Sequence, residues 1–225
     1  MIDNRLFAQL SWRFPVLTII LAMFVHGLGP NMRAFPFFIS ESAHPDGPES
    51  SIFIVSMIFS GLLLMVASWR IYDNTKQIAV KPKISFAAML TGVFAGFNLF
   101  LVGVFDMYAS LELHVITALN LFYASLVWGI LVHFGIYGMD HHFSKRRLTF
   151  LGIATLCHIV MIYTMSRAAL EYPGLEESMI IVDLNPVQHW VRWAATAEFV
   201  FLLSFIALLS TYESEISGEI SDSEE

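Results

Sequence analysis

Six long apolar runs separated by short polar stretches organise the chain. They cover roughly Phe14–Pro30, Ser51–Trp69, Ile84–Phe105, Leu113–Tyr137, Leu148–Met165 and Val187–Leu209. Crossing a bilayer takes about 20 apolar residues in helical form, and each run is near that length. Hydrocarbon offers the backbone no partner, so each run is read as a helix. The first run could pass for a signal peptide, but it lacks a convincing small-residue cleavage site and is kept as a span. The pattern predicts an all-α integral membrane protein, a six-helix transmembrane bundle occupying residues 1–210. Residues 211–225, "TYESEISGEISDSEE", have too little apolar surface to fold alone and are expected to be a disordered acidic tail.

Composition agrees with a lipid environment. Hydrophobic residues make up 56% and charged residues 14%, against about one-quarter charged in soluble domains, and the mean hydropathy is +0.66. The net charge of −7 is concentrated at the end of the chain, in Glu213, Glu215, Glu219, Asp222, Glu224 and Glu225. Basic residues are few and scattered, which argues against nucleic acid. The one cysteine, Cys157, excludes an internal disulfide.

Charge asymmetry between the loops predicts orientation. Arg5, Arg13, Arg70, Lys76, Lys81, Lys83, Lys145, Arg146 and Arg147 fall on one side, and Arg33, Arg167 and Arg192 on the other. Both termini are then cytoplasmic, and the first loop, Pro36 to Phe53, is luminal or external. That loop, "PFFISESAHPDGPESSIF", carries three prolines and three acids. Proline fixes φ and removes backbone donors, while Ser and Asp bond neighbouring backbone. The loop is therefore expected to be structured, to fold over the helix ends, and to seat Phe37, Phe38, Ile39 and Phe53 against them. Ser50 or Ser51 would cap the second span, with Glu49 at its positive end.

Within that loop, "FISESAHPDGPESSIF" resembles the first loop of the damage-regulated autophagy modulator (DRAM) family, part of a wider Frag–DRAM–Sfk group. Phe38, Ile39, Ser40, Glu41, Ser42, Pro48, Glu49 and Phe53 fall in place. Glu41 stands where the family usually has Asp, and Ser42-Ala43-His44 replaces Thr-Gly-Thr. In the sixth run Glu198 followed by Phe199 is similar to the family's Glu-Trp step, and His114 before Ala118 and Phe122 resembles a family His. The resemblance implies six spans and a setting in lysosomal, Golgi or plasma membrane. Known members are autophagy modulators, a factor for remodelling the lipid of GPI anchors, and a partner of a phosphatidylinositol 4-kinase. Their common theme is membrane lipid.

An ionisable group in hydrocarbon is costly unless paired. Glu198 lies eleven residues past Val187, ~16 Å deep, and His158 lies ten past Leu148, ~15 Å from the opposite face. The two are expected to meet between antiparallel helices, and Asn98 and Asn120 form a second candidate pair. As interhelical glue such contacts are worth about 0.6–2 kcal/mol. At the luminal side His26, Glu41, Asp106, His114, Arg167, His189 and Arg192 could line a polar pocket above Glu198, with the arginines as phosphate contacts. The competing expectation is that the loop acids occupy the arginines and seal the site.

Chemistry narrows the function. There is no Gly-x-Ser-x-Gly, no His-Glu-x-x-His and no Cys/His cluster, so no catalytic residues are assigned and neither a cofactor nor a metal is expected. Asp140-His141-His142 beside Lys145-Arg146-Arg147 reads as a basic juxtamembrane segment able to touch anionic lipid. The preferred reading is a non-enzymatic protein that binds lipid or recruits a partner, including a cytoplasmic protein through the acidic tail. The alternative is a luminal-leaflet enzyme that remodels GPI-anchor or phospholipid acyl chains.

Overall fold

The computed structural model describes residues 3–30, 32, 34–138, 143–172 and 184–219. Each apolar run forms a helix: α1 (Asn4–Leu28), α2 (Glu49–Thr75), α3 (Pro82–Val104), α4 (Leu111–Ile136), α5 (Ser144–Glu171) and α6 (Gln188–Ser210). Among the described residues, two 3-10 turns, η1 (Ile39–Ala43) and η2 (Asn185–Val187), and a short helix α7 (Glu213–Ser217) complete the elements. The protein is an all-α six-span bundle with a structured first loop. Its helices run 23 to 28 residues, or ~35–42 Å at ~1.5 Å per residue, past the ~30 Å hydrocarbon core. They therefore overrun the apolar stretches, α1 starting at Asn4 and α5 continuing to Glu171. Polarity marks where the bilayer ends, not where the helix must.

Local chemistry sets several of the boundaries. Pro82 opens α3 at a position where its missing N–H costs nothing. Asp106 accepts the N–H groups of Tyr108 and Ala109, both at 2.8 Å, and so turns the chain between α3 and α4. Gly218, at φ 80°, ends α7 in the left-handed conformation that favours glycine.

Lipid tails are as apolar as leucine, so helices associate by close contact. A Cβ on Gly61 would stand 2.5 Å from the Phe100 nitrogen and 2.6 Å from the Gly96 carbonyl oxygen. Glycine at 61 and 96 is what lets α2 and α3 touch backbone to backbone. Helix α6 is the central member, with half of its apolar window buried against 28% in α1 and α5. Its Phe201, Phe205, Leu208 and Leu209 pack with Leu64, Ala67, Trp128 and Ala154. Leu17, Phe24, Leu90, Leu156 and Leu203 point outward, where lipid would meet them.

The stretch from Thr211 to Glu219, expected to be disordered, is folded. Tyr212 and Ile216 are fully buried, and Glu215 is 1% exposed. Arg147 is also a correction: instead of touching lipid it is buried, one guanidinium nitrogen 2.6 Å from Glu215 Oε1 and 2.6 Å from the Thr211 carbonyl. Its Nε donates to Thr211 Oγ1 at 3.0 Å, and its charge lies 3.8 Å from the Tyr212 ring centroid. Tyr137 donates to Glu215 Oε1 at 2.8 Å, Asn74 to the Glu215 carbonyl at 2.8 Å, and Trp12 to Glu213 at 3.1 Å. Burial holds the Tyr137 and Tyr212 phenols well above the ordinary tyrosine range, with Glu215 pushing the same way. The segment lacks apolar surface to fold alone, but the ends of α1, α2, α4 and α5 supply its partners. Asp140, His141, His142 and residues 220–225 lie outside the described residues.

Candidate functional site

The first loop folds down onto the helix ends. Phe37, Ile39, Ala43 and Phe53 are buried, the last three packing with Ile19, Ala22, Met57 and Val102. Glu41 caps its own turn by accepting the Phe38 N–H at 2.7 Å, and the Ser42 hydroxyl donates to the Ile39 carbonyl at 2.6 Å. Ser50 does not cap α2. Its hydroxyl donates to the Ala43 carbonyl at 3.1 Å and ties α2 to η1, and no side chain caps that helix. Glu49, in the first turn, meets His26 Nδ1 at 3.0 Å with both side chains buried, while Phe37 packs edge-on against the His26 ring.

A cavity lies beneath this lid. Glu198, ten residues into α6, accepts the Ile39 N–H on Oε2 at 2.8 Å and so pins η1 to the middle of the bundle. Below, a narrow cavity of about 90 Å³, partly open to the surface, lies between α1, α2, α3, α4 and α6. Its lining on α6 runs from Glu198 to Leu209, ~16 Å at ~1.5 Å per residue, which is about one leaflet of the ~30 Å hydrocarbon core. The wall is mostly apolar, with Met57, Leu64, Leu121, Phe122 and Phe205 prominent. Glu198, His114 and Ser40 make one end polar; His114 is buried, with Nδ1 2.9 Å from the Phe105 carbonyl oxygen.

Over residues 10–218 the chain matches the domain family described as the Frag1/DRAM/Sfk1/Cwh43P N-terminal domain. It belongs to that family. The matched stretch runs from α1 through the clasp made by α7, so that clasp lies inside the Frag1/DRAM domain. No curated protein and no solved structure matches the chain.

In this Frag1/DRAM domain the expected pocket residues scatter. Glu198 and His114 share the cavity, with Glu41 in the lid above. His26 is consumed by Glu49 and Asp106 by the α3–α4 turn. Arg167 is exposed and stacks on Trp190, His189 is exposed beside Glu171 at 3.2 Å, and Arg192 is exposed on α6. The arginines therefore do not line the cavity: Arg192 sits six residues from Glu198, which turns it to another face of the helix. Arg33 lies outside the described residues.

Neither expected intramembrane pair forms. His158 is buried against Phe122, Tyr123 and Phe201, and neither ring nitrogen has a hydrogen bond. Glu198 takes a backbone N–H instead, which no side-chain pattern announces. Asn98 is buried but donates to the Phe94 carbonyl of its own helix at 2.9 Å, while Asn120 is exposed. Sequence reasoning also missed Ser11, Pro15 and Ser60, which line the cavity. Pro15 was the available signal. It has no N–H to give the Ser11 carbonyl four residues back, so it frees an acceptor within α1.

Proposed function

We propose that this family member is a lipid-binding membrane protein that holds one lipid in its central cavity and acts through that complex. The observation that carries the reading is the cavity itself: a leaflet-deep apolar cleft with a polar end, covered at that end by a loop that Glu198 fastens. In the setting implied by the family, the complex serves autophagy and membrane-lipid homeostasis in lysosomal, Golgi or plasma membrane. Both termini then face the cytoplasm, since the basic residues gather at the α7 end of the bundle. A cytoplasmic partner reached through the acidic tail would use residues beyond Ser217, because Glu213 and Glu215 are engaged within the fold.

Mass spectrometry of lipids that co-purify in mild detergent tests this reading. Ala118→Phe, which fills the cavity from α4, should deplete the wild-type lipid about tenfold, a loss of ~1.4 kcal/mol. Identical lipid profiles in wild type and variant would remove the cavity as a lipid site.

A further inference from the structure

The polar end of the cavity is rich in acceptors and poor in donors. Glu198 Oε2 holds the Ile39 N–H, and Oε1 has no hydrogen bond among the described residues. With Nδ1 of His114 donating to the Phe105 carbonyl, the neutral ring keeps Nε2 as an acceptor. Nearby donors are already used, the Phe38 N–H by Glu41 and the Ser42 hydroxyl by the Ile39 carbonyl. The Ser40 hydroxyl can serve either way. Among the described residues no lysine or arginine lines the cavity.

A second polar station lies deeper. Ser60 is one turn along α2 from Ser56, which meets Thr18 of α1, and so it stands level with Pro15. Its buried hydroxyl has no partner, and Ser11, whose carbonyl Pro15 has no N–H to bond, lines the same wall.

We propose that the cavity selects a single-chain amphiphile whose head donates hydrogen bonds and carries no negative charge, as a long-chain alcohol or amine does. The head sits at Glu198 and His114, and the chain runs past Ser60 toward Leu209. This assignment rests on the lipid-binding reading above. The cavity's ~16 Å run along α6 is long and narrow enough to take one extended chain within one leaflet. A carboxylate or phosphate head would be buried there with no lysine or arginine in the lining to pair with it, and an unpaired buried charge is costly.

Three photoreactive probes with the same long chain, ending in a hydroxyl, a primary amine or a carboxylate, separate the possibilities on the full chain in neutral nanodiscs at pH 7.5. Alcohol and amine should label α1, α2 and α6 peptides about tenfold more than the acid, and Ala118→Phe should abolish that labelling. In Glu198→Gln the amide oxygen can still accept the Ile39 N–H, and labelling by the acid should rise toward that by the alcohol. Equal wild-type labelling by all three probes, still blocked by Ala118→Phe, would overturn the head assignment and leave lipid binding standing. Absence of cavity labelling by every probe would defeat the lipid-binding reading and this assignment with it.

Discussion

At the α7 end of the bundle, Glu215 faces Arg147 at 2.6 Å with both side chains 1% exposed. At the η1 end, Glu198 faces a backbone N–H at 2.8 Å and has an oxygen to spare. The first carboxylate is neutralised and further bonded by Tyr137, so its end is closed by protein alone. The second is held in place without being neutralised, beside a space that protein does not fill. A buried acid matched to a cation is a fastener. A half-buried acid left one bond short beside a cavity is a receptor.

Breaking the fastener should have the largest effect. Removing one partner of a buried ion pair costs about 3–5 kcal/mol, so Arg147→Met should sharply lower the unfolding midpoint in a denaturing-detergent titration. Adding Glu215→Met should recover much of that loss, because no uncompensated charge remains. A double variant as unstable as the single would show that the pair is not what holds α7. At the other end, Glu198→Ala removes the acceptor of the Ile39 N–H and leaves that donor unsatisfied, at a cost of about 1–3 kcal/mol. It should also loosen η1, so that a thiol introduced as Ala43→Cys in a Cys157→Ser background becomes reactive. An unreactive thiol would mean that Ile39 is held by packing alone. The smallest effects belong to Arg167→Ala and Arg192→Ala, each within about 0.5 kcal/mol of wild type and with bound lipid unchanged. Loss of lipid in either variant would bring the arginines back into the site and erase the contrast between the two ends.

The spans were legible because the bilayer constrains sequence more strongly than any tertiary contact: twenty apolar residues in hydrocarbon have few ways to satisfy their backbone. The buried face of the loop was legible too, since Phe37, Ile39 and Phe53 had nowhere else to go. What escaped were partnerships across the chain. Arg147 resembled its exposed neighbours Lys145 and Arg146, and its partner lies 68 residues away in a segment that looked too polar to fold. Glu198 was placed at the right depth, but its partner is a main-chain N–H 159 residues distant, which leaves no trace in side-chain chemistry. His158 looked like a hydrogen-bonding residue and is instead held by aromatic rings.

The central position of α6 also bears on the order of assembly. A chain is made from its N-terminus, so η1 and the cavity walls on α1 to α4 emerge long before α6, the last of the six spans. Until it inserts, Ile39 has no carboxylate to meet and α5 lacks its main packing partner. Glu198 and Glu215 belong to one continuous stretch, α6 running directly into α7. A single late insertion therefore latches the lid and delivers the acid that neutralises Arg147, so that both ends of the molecule mature together.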